Sequence, residues 1–311
     1  MTLRVLVTGA TGFVGRRLVA HLAHAGHVVA GAAIDRSESP AGVAKLCVDV
    51  RDSEAVARAV AAFDPDRIVH LAALSHVGES WRRIPDYFAI NVQGAENVFA
   101  AAGALADARP VLFMSSAEVY GLVPEEEQPI GEERAPAPRT PYALTKAAAE
   151  RLAVAAGATV VRSFNLIGAG QAATFALPDF AGQLAAIERG EREPVLAVGN
   201  LSARRDFLHV DDAVEALTLL VETPAPGQVL NLASGEDQTI SELLDRLVAI
   251  SGLAVRRIED PARLRPIDIP RLRGDASRLR ARGWIPRLTV DEALADLWRE
   301  ARVKAAGVGV G

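Results

Sequence analysis

A tyrosine and a lysine stand four positions apart in the stretch TPYALTKAAAE, residues 140–150. If this stretch is helical, Tyr142 and Lys146 lie one turn apart on the same face. A free phenol has a pKa of about 10 and transfers protons poorly at neutral pH, whereas a nearby ammonium would favour the phenolate. The pair could therefore move a proton. The same spacing also arises in helices by chance, so the rest of the chain must supply the context.

Three glycines follow a short apolar run in VLVTGATGFVG, residues 5–15. Gly9 would permit a tight turn, Gly12 would let a diphosphate approach the backbone, and Gly15 would let a helix pack closely. The amino end of that helix would offer N–H groups to phosphate oxygens. This context favours a dinucleotide site over an ordinary strand–helix turn that happens to hold three glycines.

The elements around these motifs alternate between apolar runs and helical spacing. Strands are predicted at 3–7, 28–34, 68–73, 111–114 and 159–163, and helices at 13–25, 53–62, 87–102 and 142–156. Short Val-, Ile- and Leu-rich strands that alternate with helices are typical of a parallel sheet buried on both faces. We therefore expect an α/β fold with a doubly wound parallel sheet of the Rossmann type.

The pattern becomes mixed beyond Gly168, which indicates a smaller mixed α/β C-terminal substrate domain. Helices are predicted at 176–190, 211–222 and 239–251, and short strands at 194–198 and 228–232. The expected division is 1–165 for the dinucleotide domain, 166–303 mainly for the substrate domain with 201–223 returning to the first, and 304–311 for a disordered tail. The segment 122–141, with five prolines and five glutamates, is predicted to be an exposed loop or lid.

The composition excludes several classes of protein. A chain of 311 residues with 50% hydrophobic residues can bury a large core. Its single cysteine, Cys47, excludes an internal disulfide framework and fits a reducing compartment, so we expect a cytoplasmic protein. No secretory signal or stretch of about eighteen apolar residues is present, and the net charge of -5 gives no diffuse attraction to nucleic acid or anionic membranes.

Three histidines close together, His21, His24 and His27, raise the question of a metal site. Only the first two share a helical face, Gly26 interrupts the helix, and no carboxylate or thiol joins them. We expect no metal.

The glycine spacing TGxxGxxG and the Tyr–Lys pair together resemble the extended short-chain dehydrogenase/reductase family, over nearly the whole chain. The stretches CVDVRD (47–52), HLAA (70–73) and INVQG (90–94) support the likeness. It implies NADP or NAD as the cofactor, with these binding residues: Gly9, Thr11, Gly12, Phe13, Val14, Gly15, Asp35, Arg36, Asp49, Val50, Leu71, Ala72, Ala73, Asn91, Tyr142 and Lys146.

The choice between the two cofactors stays open at this stage. NAD-binding members of the family place an acid at the end of the second strand, and here that position falls near Ala33, two residues before Asp35. Arg36 could instead meet a 2′-phosphate. The sequence slightly favours NADP.

The same resemblance implies a catalytic centre. In MSSAEVYG (114–121), Ser116 matches the hydroxyl that binds the reacting oxygen, and with Tyr142 and Lys146 it completes a triad for hydride transfer at a sugar carbon. Glu118 matches the base of the 4,6-dehydratases, which carry a polar residue where this chain has Ala117. The alanine argues against water elimination.

Three later stretches resemble the branch that contains GDP-mannose 4,6-dehydratase and GDP-6-deoxy-4-keto-D-mannose reductase: RSFNLIGAGQ (162–171), GNLSARRDFLHVDDAVEAL (199–217) and LRPIDIPRLRGDASRLRARGWIPR (264–287). By that likeness Asn165 and Arg205 hold the diphosphate region, Arg265 binds phosphate, and Asp268 accepts from the nucleotide ribose. His76 could line the sugar pocket. The expected substrate is a nucleotide-diphosphate sugar, with GDP favoured.

These features predict an NAD(P)-dependent reductase of a nucleotide-linked 4-keto-6-deoxy sugar, with Tyr142 as the general acid. A 4-epimerase or 4,6-dehydratase on the same scaffold is the first alternative. A non-catalytic dinucleotide sensor is the second, and the Tyr–Lys pair counts against it. The resemblance also implies a homodimer that packs through the helices near 87–102 and 142–156.

Overall fold

Two unequal parts make up the fold. The computed structural model describes residues 1–35, 40–264 and 267–305 of the chain. The strands of the described residues are β1 (Arg4–Thr8), β2 (Val28–Ala33), β3 (Val43–Cys47), β4 (Arg67–His70), β5 (Val111–Ser116), β6 (Thr159–Ser163), β7 (Asn165–Ile167), β8 (Val195–Val198), β9 (Arg204–His209), β10 (Val229–Leu232), β11 (Asp237–Thr239), β12 (Arg256–Glu259) and β13 (Arg271–Leu272).

Helices alternate with these strands. They are α1 (Gly15–His24), α2 (Ser53–Phe63), α3 (Val77–Ser80), α4 (Ile84–Tyr87), α5 (Gly94–Gly103), α6 (Pro141–Ala155), α7 (Ala176–Glu188), α8 (Val210–Glu222), α9 (Ile240–Ser251), α10 (Ser277–Arg280) and α11 (Val290–Ala305). A π-helical turn (Phe88–Gln93) joins α4 to α5, where the sequence predicted one continuous helix.

Within the described residues, the large sheet has the strand order β10-β6-β5-β4-β1-β2-β3, and neighbouring strands run parallel. Strand β1 shows how it is buried. Val5 and Val7 pack in one core with α1 and α8, whereas Leu6 packs in the other with α2, α5 and α6. Burial on both faces is typical of parallel sheets between two helical layers, and the predicted fold class is confirmed.

The strand order reverses at β1, which lies between β2 and β4. Thr8 lies opposite His70, so the residues that follow, Gly9 and Leu71, leave the sheet side by side. Ligands of open α/β sheets bind at the carboxyl ends of the strands, where the order reverses. Ser116, the last residue of β5, ends at the same edge of the sheet.

The smaller part is built from β7, β8, β9, β11, β12 and β13 with α7, α9 and α11, which share a separate apolar core. The chain returns to the larger part through α8, which packs against α1, and β10, which is the edge strand beside β6. The sequence predicted that the whole of 201–223 returns to the larger part. Strand β9 (204–209) does not, because it pairs in the small sheet.

The segment 122–141 is largely the exposed loop that its prolines predicted, but it is anchored to the rest of the fold around Ile130. Ile130 is buried in the core, and its N–H donates to the carbonyl of Arg273 at 2.9 Å. The amide of Gln128 donates to the carbonyls of Val123 and Arg271. The glutamates at 125–127 are exposed, but the apolar residues around them fix this segment to the C-terminal part.

Two residues of the predicted disordered tail, 304 and 305, belong to helix α11. Lys304 belongs to α11 and its ammonium lies 2.7 Å from the carboxylate of Glu300. Residues 306–311, the rest of the predicted tail, lie outside the described residues, as do Arg36 and Arg265.

Candidate active site

Tyr142 lies at the start of α6, in the wall of a cleft of about 1000 Å³. The hydroxyl of Thr140 accepts from the N–H of Ala143 at 3.1 Å, and Pro141 occupies the first helical position. Both residues favour a helix start at this point. The helix therefore begins at a fixed place, with the phenol in its first turn and Lys146 one turn further on, where both line the cleft.

Ser116 and Tyr142 converge in this cleft. Burial raises the pKa of Tyr142 to about 12, although a hydrogen bond with Ser116 lowers it. The negative charge of Glu118 is a smaller cause that raises it further. The phenol is therefore protonated at neutral pH.

Lys146 has two contacts that the sequence did not reveal. Its ammonium donates to the carbonyl of Met114 at 2.5 Å and lies 4.4 Å from the ring centre of Phe113. Burial lowers the pKa of Lys146 to about 7, with Glu150 opposing the shift. The stabilisation of a phenolate by this ammonium stays a prediction, because Lys146 is not among the groups that shift the pKa of Tyr142.

Glu118 lies in a 3₁₀ turn (Ala117–Tyr120) directly after β5 and also lines the cleft. Its N–H donates to the Ser116 hydroxyl at 3.2 Å. The neighbouring Ala117 is buried and apolar. The carboxylate of Glu118 and the hydroxyl of Ser116 are thus brought to one side of the cleft.

The glycine turn has the shape of a phosphate cradle. A Cβ on Gly15 would lie 2.1 Å from the carbonyl oxygen of Gly9, and one on Gly9, whose φ is +69°, would lie 2.7 Å from the backbone nitrogen of Ala72. No described side chain caps the amino end of α1. Glycine at these two positions lets the turn pack closely against its own backbone and against the segment after β4. The turn leaves the amino end of α1 open, so the residues present fit a dinucleotide diphosphate held by backbone N–H groups.

The other predicted cofactor residues divide into two groups. Those that line the cleft are Gly9, Gly12, Phe13, Val14, Gly15, Leu71, Ala73, Tyr142 and Lys146. Among the described residues, those outside its lining are Thr11, Asp35, Asp49, Val50, Ala72 and Asn91.

Two residues of the second group have other partners. Asp49 lies 2.6 Å from Arg51, whose hydrogen bond lowers the pKa of that carboxyl. The amide of Asn91 is buried and bonds the backbone of Leu74 and the hydroxyl of Thr145. Asn91 therefore fixes the segment after β4 against α6.

The substrate-side residues predicted from sequence meet at the far end of the cleft. Arg205 is buried, donates to the carbonyl of Ile269, and lies 2.8 Å from the carboxylate of Asp268. Asn200 also donates to Asp268, at 2.7 Å. Asn165 lines the same cleft.

His76 bridges the cleft. One ring nitrogen accepts from the N–H of Glu79 at 2.9 Å, so the other donates to the carbonyl of Thr174 at 3.1 Å. The hydroxyl of Tyr87 donates to the carbonyl of His76 at 2.6 Å. His76 therefore connects the segment after β4 to the segment before α7.

The comparisons with known proteins agree with this geometry. Residues 5–233 match the family model described as the NAD dependent epimerase/dehydratase family. A GDP-6-deoxy-D-mannose reductase from Pseudomonas aeruginosa is 35% identical and is matched over 98% of this chain and 99% of its own length. The chain belongs to the NAD-dependent epimerase/dehydratase family. The resemblance to extended short-chain dehydrogenases/reductases is confirmed.

Solved structures of the NAD-dependent epimerase/dehydratase family share the fold. A structure of RMD from Pseudomonas aeruginosa with NADPH has a TM-score of 0.85 and 33% identity, with 97% of this chain and 100% of that chain covered. A UDP-glucose 4-epimerase from Thermus thermophilus with NAD has a TM-score of 0.86 and 28% identity, with coverages of 96% and 99%. The present chain is accordingly an NAD(P)-dependent enzyme.

Two other findings concern possible sites. In the part of the chain that the structure describes, no group of three or more His, Cys, Asp or Glu side chains is arranged to hold a metal ion. No described helix is both long and apolar enough to cross a membrane.

Sequence analysis missed two residues that shape the site. Tyr87 packs edge-on against Tyr142, with ring centres 6.4 Å apart. Glu150 acts on the pKa of Lys146 from one turn further along α6. The spacing of Tyr142, Lys146 and Glu150 at intervals of four could have revealed the second, whereas nothing local marks the first.

Proposed function

We propose that this chain reduces a nucleotide-linked 4-keto-6-deoxy sugar, converting GDP-4-keto-6-deoxy-D-mannose to GDP-D-rhamnose. The chain is an NAD(P)-dependent nucleotide-sugar enzyme. The 35% identical relative from Pseudomonas aeruginosa is named a GDP-6-deoxy-D-mannose reductase, which supports both the sugar and the direction of the reaction.

The observation that carries the proposal is the meeting of Ser116, Tyr142 and Lys146 in the lining of one cleft, where burial raises the pKa of Tyr142 to about 12. Reduction of a ketone requires a proton on its oxygen, and the bound cofactor supplies hydride to its carbon. Tyr142 would donate this proton to the C4 oxygen while Ser116 holds that oxygen in place. The resulting phenolate would then recover a proton from solvent, which restores the acid.

Lys146 would bind the cofactor next to Tyr142. Its ammonium is fixed by Met114 at the end of β5, close to the cleft. The glycine turn would hold the diphosphate of NADPH or NADH. The structure of the Pseudomonas aeruginosa neighbour with NADPH supports NADPH.

At the other end, Arg205 would bind the sugar nucleotide diphosphate and Asp268 its ribose. A planar guanidinium matches phosphate oxygens, and this arginine is supported by the carbonyl of Ile269. In a chain of net charge -5, such a local cation is needed to hold a doubly charged ligand.

A 4-epimerase or 4,6-dehydratase remains the second candidate because Glu118 lines the cleft beside Ser116. A carboxylate there could remove a proton from the sugar. Against dehydration, Ala117 offers no polar atom for the leaving hydroxyl.

The test is turnover of GDP-4-keto-6-deoxy-D-mannose, prepared from GDP-mannose, with NADPH and with NADH in parallel. We expect stoichiometric loss of absorbance at the reduced nicotinamide band and a GDP-D-rhamnose product identified by NMR. Formation of a 4-epimer or a dehydrated sugar from a GDP- or UDP-hexose, without net cofactor consumption, would instead establish the second candidate.

A further inference from the structure

A buried ion pair lies behind the cleft, between α6 and β6. Glu150 and Arg162 are 3% and 4% exposed, and the closest contact between their charged atoms is 2.5 Å. Arg162 also donates to the carbonyl of Glu132 and lies 4.7 Å from the ring centre of Tyr120. Buried ion pairs add little net stability over apolar side chains of similar size, because removing the charges from water is costly. Stability alone therefore does not account for the pair.

Glu150 has a third partner that points to the active site. The hydroxyl of Ser115 donates to Glu150 Oε2 at 2.6 Å. Ser115 directly precedes Ser116, which lines the cleft together with Tyr142. One turn earlier in α6, the ammonium of Lys146 donates to the carbonyl of Met114. Two adjacent turns of α6 thus bind consecutive residues of β5.

We propose that Glu150 is a positioning residue: through Ser115 and Arg162 it fixes the end of β5, and hence Ser116, against the helix that carries Tyr142 and Lys146. The positioning role rests on the function proposed above. It gives Glu150 no contact with substrate or cofactor. Arg162 donates to Glu150 from β6 and holds the carboxylate in the orientation in which it accepts from Ser115.

The carboxylate of Glu150 also opposes the effect of burial on the pKa of Lys146. Burial lowers the pKa of Lys146 to about 7, and Glu150 raises it. The other titratable groups around the ammonium are Tyr142 on the same helix and His70 on β4. Burial, followed by the charge of Lys146, lowers the pKa of His70 to about 3, so this ring is neutral. Glu150 is therefore the group that favours the charged form of Lys146.

The kinetic test uses Ser115→Ala, which removes the bond to Glu150 and leaves the ion pair in place. We expect kcat to fall about tenfold while KM for the nucleotide sugar stays within about twofold, because a misplaced Ser116 affects the reacting geometry more than binding. The matched control is Thr159→Val, which removes a buried hydroxyl that accepts from the N–H of Ala225 at 3.0 Å, at the start of β6 and outside the cleft lining. It should leave kcat within about twofold of wild type. Equal kcat losses in the two variants, or none in either, would overturn the proposal.

A second measurement needs no substrate. The chain has three lysines, Lys45, Lys146 and Lys304, so NMR of lysine labelled at Cε gives a spectrum simple enough to follow Lys146 through a pH titration. In Glu150→Gln we expect the Lys146 midpoint to fall by at least about half a pH unit, because the opposing negative charge is gone. The signal is assigned with Lys146→Arg.

If Glu150→Gln does not fold because Arg162 is left unpaired, the double variant Glu150→Gln with Arg162→Gln replaces it. Normal kinetics for Ser115→Ala refute the positioning role, and an unmoved Lys146 midpoint refutes the effect of Glu150 on the charge of Lys146. Failure of the wild-type enzyme to reduce the GDP-linked ketone would refute the proposed function instead, and the titration would still decide the effect of Glu150 on Lys146.

Discussion

At the scale of single residues, burial sets the protonation state of Tyr142. The enclosed phenol has its pKa raised to about 12, and the hydrogen bond with Ser116 only partly offsets this effect. A phenol that holds its proton at neutral pH is suited to donate it to a carbonyl oxygen. A base, by contrast, would need a pKa brought closer to neutrality. The environment of this one side chain thus keeps in place the proton that reduction of a carbonyl consumes.

Replacement of the phenol tests this role directly. Tyr142→Phe keeps the ring that packs against Tyr87 and removes only the hydroxyl. We expect kcat to fall by about 10³-fold, within the range of general acid catalysis, while the Kd of NADPH changes by less than about threefold. Steady-state turnover and a fluorescence titration of NADPH measure the two quantities. A comparable loss in both would remove Tyr142 from the acid role.

Sequence alone located the residues of the centre better than their interactions. Ser116, Tyr142 and Lys146 could be found because each stands in a short motif at a recognisable place after a strand or at a helix start. The contact of Lys146 with Met114 could not, because it depends on how α6 packs against β5. The pairing of Arg205 with Asp268 joins residues 63 positions apart and is equally hidden.

At the scale of elements, the start of α6 determines where the chemistry takes place. Strands with continuous apolar runs, such as β1 and β6, were predicted from sequence because both of their faces are buried. The pattern at β3 gave no prediction, because Lys45 interrupts it and much of this edge strand is exposed. Likewise, the charged residues of β9, such as Arg204 and Arg205, obscure a strand whose bonds lie in the small sheet.

Thr140 caps the amino end of α6, and its replacement tests whether this cap positions Tyr142. Thr140→Ala removes the acceptor for the N–H of Ala143 and should lower the free energy of unfolding by about 1 kcal/mol. Since the first helical turn carries Tyr142, kcat should fall as well. Thr140→Ser is the matched control, because it loses the same methyl group but keeps the hydroxyl. Urea denaturation and turnover measure both effects. If the serine and alanine variants behave alike, the cap does not position the phenol.

At the scale of the whole molecule, the cleft requires both parts of the fold. The larger part supplies the glycine turn, Ser116, Tyr142 and Lys146, and the smaller part supplies Arg205 and Asp268. Residues close in sequence to Arg205 enter different layers, since β9 pairs in the small sheet and α8 packs on α1. This explains why the position of the mixed C-terminal region could be predicted but its internal boundaries could not.

Four large apolar side chains are exposed on three elements of the larger part that contact one another. Ile84, Phe88, Leu144 and Leu152, on α4, the π-helical turn and α6, are 37–49% exposed. We propose that the apolar face of α4 and α6 forms the homodimer expected from the sequence, since a stable interface buries about 800 Å² on each partner around an apolar centre.

Sedimentation velocity tests this interface. We expect the wild-type chain to sediment as a dimer and Phe88→Glu to sediment as a monomer, because a carboxylate would be buried there without a partner. Ile258→Glu is the matched control: Ile258 is 45% exposed on β12, in the smaller part of the fold, and its replacement should leave the dimer intact. Sedimentation of the wild-type chain as a monomer would refute the dimer. Equal dissociation of the two variants would show that the apolar face of α4 and α6 is not the interface.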